Sequence, residues 1–331
     1  MDKEKKSLTQ SLDCVLPEEV DLHGGKATNL ASLCRKGFLV PRGFSISAEN
    51  FVQMKTENPD VVRIIKKLEN LDDFDEIIEL VPKLETLIAG YKLSDDLKSA
   101  IEGEFERLED GRSSEWGYAI RSSATIEDSK DVSFAGQAMS FLCVRDISHL
   151  FDAVKQVWGS TFSLNAIIYL KTKGIPISKV KMAVVIQEMI PASISGVMFT
   201  SNVVTNNSKE MLINATWGLG EALVSGKVIP DTYILAKSPL SIVQQEKGMK
   251  EVTSTALVTD NGIQSVLEET PKERREQFTL DERSLLKVAE LGLEIEKQMK
   301  APQDIEWCMR TNGELVILQS RPITTLSDLS L

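Results

Sequence analysis

Two pairs of polar side chains near the C-terminal end of the chain could together bind a cation and a phosphate group. The Asn-Gly sequence at 312–313 separates two runs of alternating apolar and polar residues, which is typical of a β-hairpin with a two-residue turn. Counting outward from such a turn places Glu306 opposite Gln319 and Asp304 opposite Arg321. Because successive side chains of a strand point to opposite faces, all four share one face of the predicted hairpin.

The chemistry of this face admits two interpretations. Carboxylate and amide oxygens are ligands that Mg²⁺ prefers, and a guanidinium group binds phosphate through paired donors. The face could therefore hold a magnesium ion beside a phosphate group. Hairpins with one solvated face are common, however, and the polar side could form only a cross-strand ion pair. The hairpin alone leaves both interpretations open.

Two further positions, in the first half of the chain, could bind phosphate. Lys26 follows Gly24-Gly25 at the start of a helical pattern, where the helix dipole and the ammonium group would both favour an anion. Arg121 ends a predicted short strand and opens a loop rich in Ser and Gly, whose N–H groups and hydroxyls could surround phosphate. Surface lysines and Ser-rich loops are frequent, so neither position alone identifies a phosphate site.

The elements that must position these residues alternate between helices and strands. Residues 48–109 have the three-to-four spacing of apolar side chains that predicts helices. Residues 180–190 form a strongly apolar predicted strand, and a glycine-rich turn at 217–222 follows a strand that begins at Leu212. Thr279–Glu282 has the pattern of a capping box before a long helix. The mixture predicts an α+β or α/β protein.

Length and charge limit the classes of protein to which this chain could belong. Its 331 residues are enough for about two domains. Its 38 basic and 49 acidic residues give a net charge of −11, which excludes a global basic field for nucleic acid or membrane lipid. No apolar run is long enough to span a membrane and no signal peptide is visible. Four separated cysteines predict reduced thiols and a cytoplasmic location.

Five sequence motifs, in order along the chain, carry a resemblance to a known family. They are GGKATNL, IRSSATIEDSKDVSFAGQ, GVMFT, WGLGEALVSGKVIPDTY, and PQDIEWC followed by LQSRPIT. Together they closely resemble the nucleotide-binding domain of the dikinase family, which includes phosphoenolpyruvate synthase, pyruvate phosphate dikinase and rifampicin phosphotransferase. The resemblance implies an α+β protein of the ATP-grasp fold, in which two subdomains clamp ATP between them. The expected subdomains are residues 10–180, with a phosphate lid loop, and residues 181–326, with the metal-binding hairpin.

The resemblance also implies a role for each matching residue. Lys26, Arg121 and Arg321 correspond to the groups that contact the phosphates during transfer. Glu306 and Gln319 correspond to the Mg²⁺ ligands, and Asp304 to a carboxylate that supports them. The residues expected to bind the rest of the nucleotide are Ser122, Ser123 and Thr125 in the loop over the triphosphate, Gln187, Glu188, Met189 and Ile190 in the strand that receives adenine, and Glu221, which contacts either the ribose or a polar network.

The activity that the resemblance implies is transfer of the β-phosphoryl group of ATP to a histidine, with AMP and phosphate as products. ATP and Mg²⁺ are the expected cofactors. In the family the histidine belongs to a swivelling domain, and an acceptor-substrate domain follows. His23 and His149, the two histidines of this chain, lie in sequence contexts unlike a phosphate carrier. Both domains are therefore expected in trans or on a continuation of the chain.

Two other functions are kept as alternatives. One is a self-sufficient ATP-grasp kinase or ligase that transfers phosphate directly to a small acceptor and releases ADP. The other is a nucleotide-binding regulatory module with little turnover. The reaction products distinguish the three possibilities, whereas the final phosphoryl acceptor cannot be identified from these motifs.

Overall fold

The computed structural model describes residues 7–110, 114–125, 140–259 and 262–324. The chain divides into two compact units, Met1–Ser32 with Arg42–Met189, and Leu33–Pro41 with Ile190–Leu331. The predicted boundary between residues 180 and 181 falls too early, because the strand that follows it pairs within the sheet of the first unit. The lid loop expected after Thr125 lies outside the described residues.

The first unit combines a small sheet with seven helices among its described residues. In chain order its elements are β1 Thr9–Ser11, α1 Val20–Arg35, β2 Gly43–Ile46, α2 Ala48–Glu57, α3 Pro59–Asn70, α4 Phe74–Ala89, α5 Asp95–Glu109, β3 Tyr118–Ala124, β4 Ser140–Val144, α6 Ile147–Ser160, α7 Leu164–Thr172 and β5 Met182–Glu188. The strands are antiparallel, in the order β1-β2-β5-β3-β4. The apolar strand predicted over 180–190 is β5, at the centre of this sheet.

Alternation along β5 separates the core of this unit from the opposite face of the sheet. Met182, Val184 and Ile186 are buried in the apolar core that the helices complete. Val185 and Gln187, which point the other way, are buried outside that core. The helical region predicted over 48–109 consists of α2 to α5. Its helices begin where a side chain binds the first free N–H groups, as Asp73 does for α4.

The second unit contains a larger antiparallel sheet and one long helix. Its elements are β6 Ile194–Phe199, β7 Glu210–Trp217, α8 Glu221–Val224, β8 Asp231–Lys237, β9 Leu240–Glu246, β10 Val252–Thr259, β11 Gly262–Glu269, α9 Lys272–Arg275, α10 Glu282–Met299, β12 Gln303–Met309 and β13 Leu315–Pro322. Six strands form one sheet in the order β13-β12-β6-β7-β8-β9, and β10 pairs with β11 in a separate ribbon.

The long helix packs its apolar stripe on one face of the six-stranded sheet. Leu285, Val288 and Ala289 of α10 belong to the same buried cluster as Ile305 and Trp307 of β12. The helix N-cap is Asp281, whose carboxylate accepts the N–H of Ser284 at 2.8 Å. The predicted capping box starting at Thr279 is therefore wrong.

The backbone of Thr279 binds instead to Asp231, a buried carboxylate that connects the loops at this end of the sheet. Asp231 and Lys250 form an ion pair in which both side chains are fully buried. The Asp231 carboxylate also accepts the N–H groups of Gly248, at 2.9 Å, and of Thr279, at 2.7 Å. These contacts join three segments that are distant in sequence. No helix in the described ranges is long and apolar enough to cross a membrane.

Candidate functional site

The C-terminal hairpin brings together the four polar residues that were paired from the sequence. β12 and β13 are antiparallel neighbours, with Asp304 opposite Arg321 and Glu306 opposite Gln319. All four residues are half-buried, whereas Ile305 and its neighbours on the other face lie in the core. The predicted pairing and the shared polar face are confirmed.

The turn of this hairpin differs from the prediction. The Arg310 N–H donates to the carbonyl of Glu314, and the Gly313 N–H donates to the carbonyl of Arg310, both at 2.9 Å. The loop therefore contains three residues, with Gly313 at φ 79°. The longer loop shifts the register by one residue, and a bulge at Leu318 shifts it back before Glu306. The two departures cancel, so the predicted pairing is correct although the predicted turn is wrong.

The polar row of the hairpin continues across the sheet. Glu306 pairs with Val197 of β6, Val197 with Asn214 of β7, and Asn214 with Thr232 of β8. Together with Gln319, these residues form a cross-strand row on the face opposite α10, and all five are half-buried. The row ends at Glu246 of β9, which pairs with Thr232 and is exposed. The Thr232 hydroxyl donates to the Asn214 amide oxygen at 2.9 Å. The sequence analysis missed Asn214 and Thr232.

Arg321 is tied to Asp304 by two hydrogen bonds. Its Nε and Nη2 donate to Oδ2 of Asp304 at 2.9 and 2.6 Å. Burial raises the pKa of the Asp304 carboxyl, Arg321 opposes that rise, and the nearby Glu306 carboxylate adds to it. The pair restricts the guanidinium group to one region above the sheet. Asp304 therefore acts on Arg321 directly, in addition to any support it gives to a metal.

The donor set of the hairpin fits a magnesium ion that also binds phosphate. Glu306 contributes a carboxylate and Gln319 an amide oxygen, from directly opposed positions. Mg²⁺ is commonly held by one or two protein oxygens together with substrate phosphates and water. The described residues contain no group of three or more His, Cys, Asp or Glu side chains placed to hold a metal without such additional ligands. These residues fit a metal that is bound together with a phosphate ligand.

In the first unit, Lys26 lies just after a sharp change in the direction of α1. Gly24 interrupts the helix with φ 73° and ψ 168°, and the helical turns resume after it. A Cβ atom on Gly24 would overlap the backbone of Ser123, so only glycine fits this close approach. The Lys26 Nζ donates to the carbonyl of Ser122 at 2.7 Å. Lys26 is thereby held against the end of β3.

The structure corrects the expected loop over the triphosphate at its first two residues. Ser122 and Ser123 are buried within β3, which continues past Arg121 to Ala124. The Ser123 hydroxyl donates to the carbonyl of His23 at 2.8 Å and accepts the N–H of Ala27 at 3.3 Å. These bonds satisfy polar backbone groups at the kink of α1. Ser123 thus connects α1 to the sheet and does not lie in a loop.

Arg121 occupies the middle of β3, where it lies between Ser140 of β4 and Val185 of β5. Its side chain is half-buried and, by alternation, shares a face with Ser123. The first unit therefore holds Lys26 against β3, the strand that contains Arg121. Thr125 follows the last residue of that strand, and its N–H donates to the carbonyl of Lys181 at 3.3 Å.

The segment expected to receive adenine lies at the end of β5. The N–H groups of Glu188 and Met189 donate to the carbonyls of Arg42 and Gly117, at 2.8 and 2.9 Å. Gln187 is only 2% exposed, and its amide nitrogen has no hydrogen-bond partner among the described residues. Ile190 is also buried. Because two backbone N–H groups are engaged, a base could use the carbonyls or side chains of Glu188 and Met189.

The remaining predicted residues have simple surroundings. Glu221 is the exposed first residue of α8, and its carboxylate accepts the Ser265 hydroxyl at 2.5 Å. His23 is 1% exposed, and burial lowers its pKa. His149 is exposed on α6, where its Nδ1 lies against the Asp146 carboxylate. Of the two histidines, therefore, only His149 is accessible to a reagent in solution.

Comparison with known proteins gives a consistent result over most of the chain. A family model described as "Pyruvate phosphate dikinase, AMP/ATP-binding domain" matches residues 20–330. The chain is 35% identical, over 94% of its length, to phosphoenolpyruvate synthase of Pyrococcus furiosus, of which the match covers 43%. It is 33% identical, over 92% of its length, to rifampicin phosphotransferase of Bacillus cereus, of which it covers 34%. The chain spans 26% to 45% of the length of the similar synthases and phosphotransferases.

Proposed function

Since the chain belongs to the family of pyruvate phosphate dikinase AMP/ATP-binding domains, we propose that it is an ATP-grasp module that binds Mg·ATP and phosphorylates a histidine. The observation that carries the proposal is the hairpin register, which sets the Glu306–Gln319 pair beside the Asp304–Arg321 pair. The first pair has the oxygen donors for a magnesium ion, and the second holds a guanidinium group for a phosphate.

The reaction proposed for the module is transfer of the β-phosphoryl group of ATP. The bond between the β-phosphorus and the oxygen bridging to the α-phosphate breaks, and a bond from the β-phosphorus to a histidine nitrogen forms. AMP leaves with that bridging oxygen, and the γ-phosphoryl group passes to water to give inorganic phosphate. Such transfers depend mainly on positioning and on neutralising negative charge.

The proposed binding groups come from both units. Lys26 and Arg121 supply positive charge in the first unit and Arg321 in the second, and all three are proposed to contact phosphate oxygens. Glu306 and Gln319 would hold the Mg²⁺, which when bound withdraws charge from the phosphates. Asp304 orients Arg321.

The rest of the nucleotide is assigned to three parts of the chain. Residues 187–190 are proposed to receive the adenine, Glu221 to lie near the ribose, and Thr125 to begin the lid over the triphosphate. The unpartnered amide nitrogen of Gln187 supports the first assignment, because a buried donor without an acceptor is costly unless a ligand supplies one.

The histidine that accepts the phosphate is proposed to belong to a swivelling domain, in trans or on a continuation of the chain, with an acceptor-substrate domain beyond it. The buried position of His23 supports this, because an enclosed imidazole cannot approach a nucleotide without local unfolding. We also propose a cytoplasmic location, since none of the four cysteines is joined in a disulfide, which is the state that a reducing compartment maintains.

Reconstitution tests this proposal. The isolated chain is incubated with Mg²⁺ and radiolabelled ATP, alone and with the remaining domains of a phosphoenolpyruvate synthase. We expect little AMP from the chain alone, and AMP together with acid-labile phosphate on the partner when both are present. Rapid AMP formation by the isolated chain, or label on His23 or His149, would contradict it. ADP formed with a small acceptor would favour a self-sufficient kinase or ligase.

A further inference from the structure

The polar row of the second unit extends beyond the residues assigned to magnesium. Asn214 lies in the same cross-strand row as Glu306 and Gln319, with Val197 between Asn214 and Glu306. Neighbouring strands are about 4.8 Å apart, so the backbones of Asn214 and Glu306 are about 10 Å apart. Asp304 and Arg321 occupy the next row on this face. Asn214 is therefore level with the proposed metal ligands and one row from the guanidinium group.

The Asn214 amide has a fixed orientation. Its oxygen accepts the Thr232 hydroxyl at 2.9 Å, which identifies the oxygen side of the amide and directs the NH₂ group elsewhere. Among the described residues, no protein acceptor binds this NH₂ group. Its neighbours on the same face include the apolar side chains of Val197 and Leu212, which cannot accept a hydrogen bond, and Thr216, whose buried hydroxyl has no hydrogen-bond partner among the described residues. The half-buried amide therefore presents two N–H donors that no described side chain engages.

A pair of N–H donors without a protein partner suits a ligand oxygen. The ligand oxygens expected above these two rows are those of the polyphosphate, since the metal ligands and Arg321 occupy the other side of the same rows. A neutral amide donor can bind a phosphoryl oxygen and adds no charge to be desolvated. A sugar or base bound here would have to lie level with the metal, where the phosphates are expected.

We propose that Asn214 binds a β- or γ-phosphoryl oxygen of ATP and that Thr232 is the positioning residue for its amide. The assignment rests on the function proposed above and adds a phosphate contact from β7, on the side of Glu306 away from Gln319. It would hold the polyphosphate from the side of the row away from Arg321, where the described members beyond Asn214 are Thr232 and the exposed Glu246.

Nucleotide binding by calorimetry, with Mg²⁺ present, tests the assignment. We expect Asn214→Ala to weaken ATP binding about threefold to tenfold, the effect of one neutral hydrogen bond, and to leave AMP binding unchanged. Thr232→Val should act in the same direction and less strongly. Gln298→Ala, which removes an exposed amide from α10, is the control and should change neither affinity. Thermal melting verifies that each variant is folded. If Asn214→Ala is not folded, Asn214→Ser replaces it.

The possible outcomes separate this assignment from the proposed function. If the unmodified chain binds no Mg·ATP, the proposed function fails and the Asn214 assignment fails with it. If the unmodified chain binds Mg·ATP and Asn214→Ala binds it equally well, only the Asn214 assignment is wrong. Equal weakening of ATP and AMP binding would place the contact on the adenosine or the α-phosphate, which also overturns the assignment.

Discussion

Arg321 donates two hydrogen bonds, from Nε and Nη2, to a single carboxylate oxygen of Asp304 directly across the C-terminal hairpin. The pair is partly shielded from solvent, with 32% and 12% of the two side chains exposed. The guanidinium group is thus restrained by a neighbour on its own sheet before any ligand binds. Such restraint lowers the entropic cost of directing an arginine at a phosphate.

Replacing the proposed metal ligand should reduce magnesium-dependent binding. We expect Glu306→Gln to weaken Mg·ATP affinity about tenfold or more, because an ionised oxygen ligand is lost. Glu314→Gln is the matched control, since Glu314 is exposed beside the turn of the same hairpin. Calorimetric titration at several Mg²⁺ concentrations measures both variants. Unchanged affinity and metal dependence in Glu306→Gln would return the hairpin to a simple cross-strand ion pair.

Replacing Arg321 should affect phosphoryl transfer more than binding. In Arg321→Lys, the lysine keeps the positive charge of the arginine but lacks the paired donors that Asp304 orients. We expect the rate of phosphoryl transfer to the histidine domain to fall about a hundredfold, since preorganised donors act mainly on the transition state. ATP affinity should change only a few-fold. Arg310→Lys, at the exposed turn, should transfer at the normal rate, and full activity of Arg321→Lys would exclude the assigned role.

Glycine at position 24 should be needed both for its positive φ angle and because a side chain there would overlap Ser123. Gly24 and Gly37 have φ values of 73° and 84°, but only Gly24 has neighbouring atoms where a Cβ would lie. We expect Gly37→Ala to lower the free energy of unfolding by about 1 kcal/mol through backbone strain alone. Gly24→Ala should cost clearly more and also weaken ATP binding, because it displaces the kink that precedes Lys26. Urea unfolding measures both, and equal losses would show that the contact with Ser123 is unimportant.

A buried lysine should make the stability of the first unit depend on pH. The Lys55 ammonium group donates to the carbonyls of Ser178 and Val180, at 2.8 and 2.6 Å, and is 5% exposed. Burial, reinforced by Lys181 and opposed by Glu69, lowers its pKa to about 8. The unfolded chain holds this proton up to about pH 10.4, so the Lys55 contribution to stability rises between about pH 8 and pH 10.4.

The measurement for Lys55 is urea unfolding at pH values across that interval. We expect Lys55→Met to show a smaller rise in the free energy of unfolding than the unmodified chain, by up to about 3 kcal/mol. Lys66→Met, which removes an exposed lysine of α3, should retain the full rise. Identical pH profiles for all three proteins would mean that Lys55 titrates in the folded chain as it does in the unfolded one.

Much of the local structure around the site could be predicted from residue order alone. Alternation fixes which side chains of a strand share a face, so Asp304 and Glu306 were separated from Ile305 without knowledge of the fold. The family motifs also indicated which residues to examine in each half of the chain. Errors arose where two neighbouring residues could both serve as a local signal. Asp281 caps α10 in place of Thr279, and the hairpin loop contains three residues where two were predicted.

Tertiary structure decided which distant segments meet. Asn214 lies in the same row as Glu306 and Gln319 only because β6 pairs with both β12 and β7, and strand order is set by long-range pairing that no local pattern encodes. In the same way, Ser123 meets the kink at Gly24, and Asp231 meets Lys250 and Thr279, through packing between elements. Residue order by itself determined which side chains share a face of a strand and which chemical groups that face carries, because side-chain alternation is local. The partners of those groups depended on the folded chain, because burial and strand pairing are properties of the whole sheet.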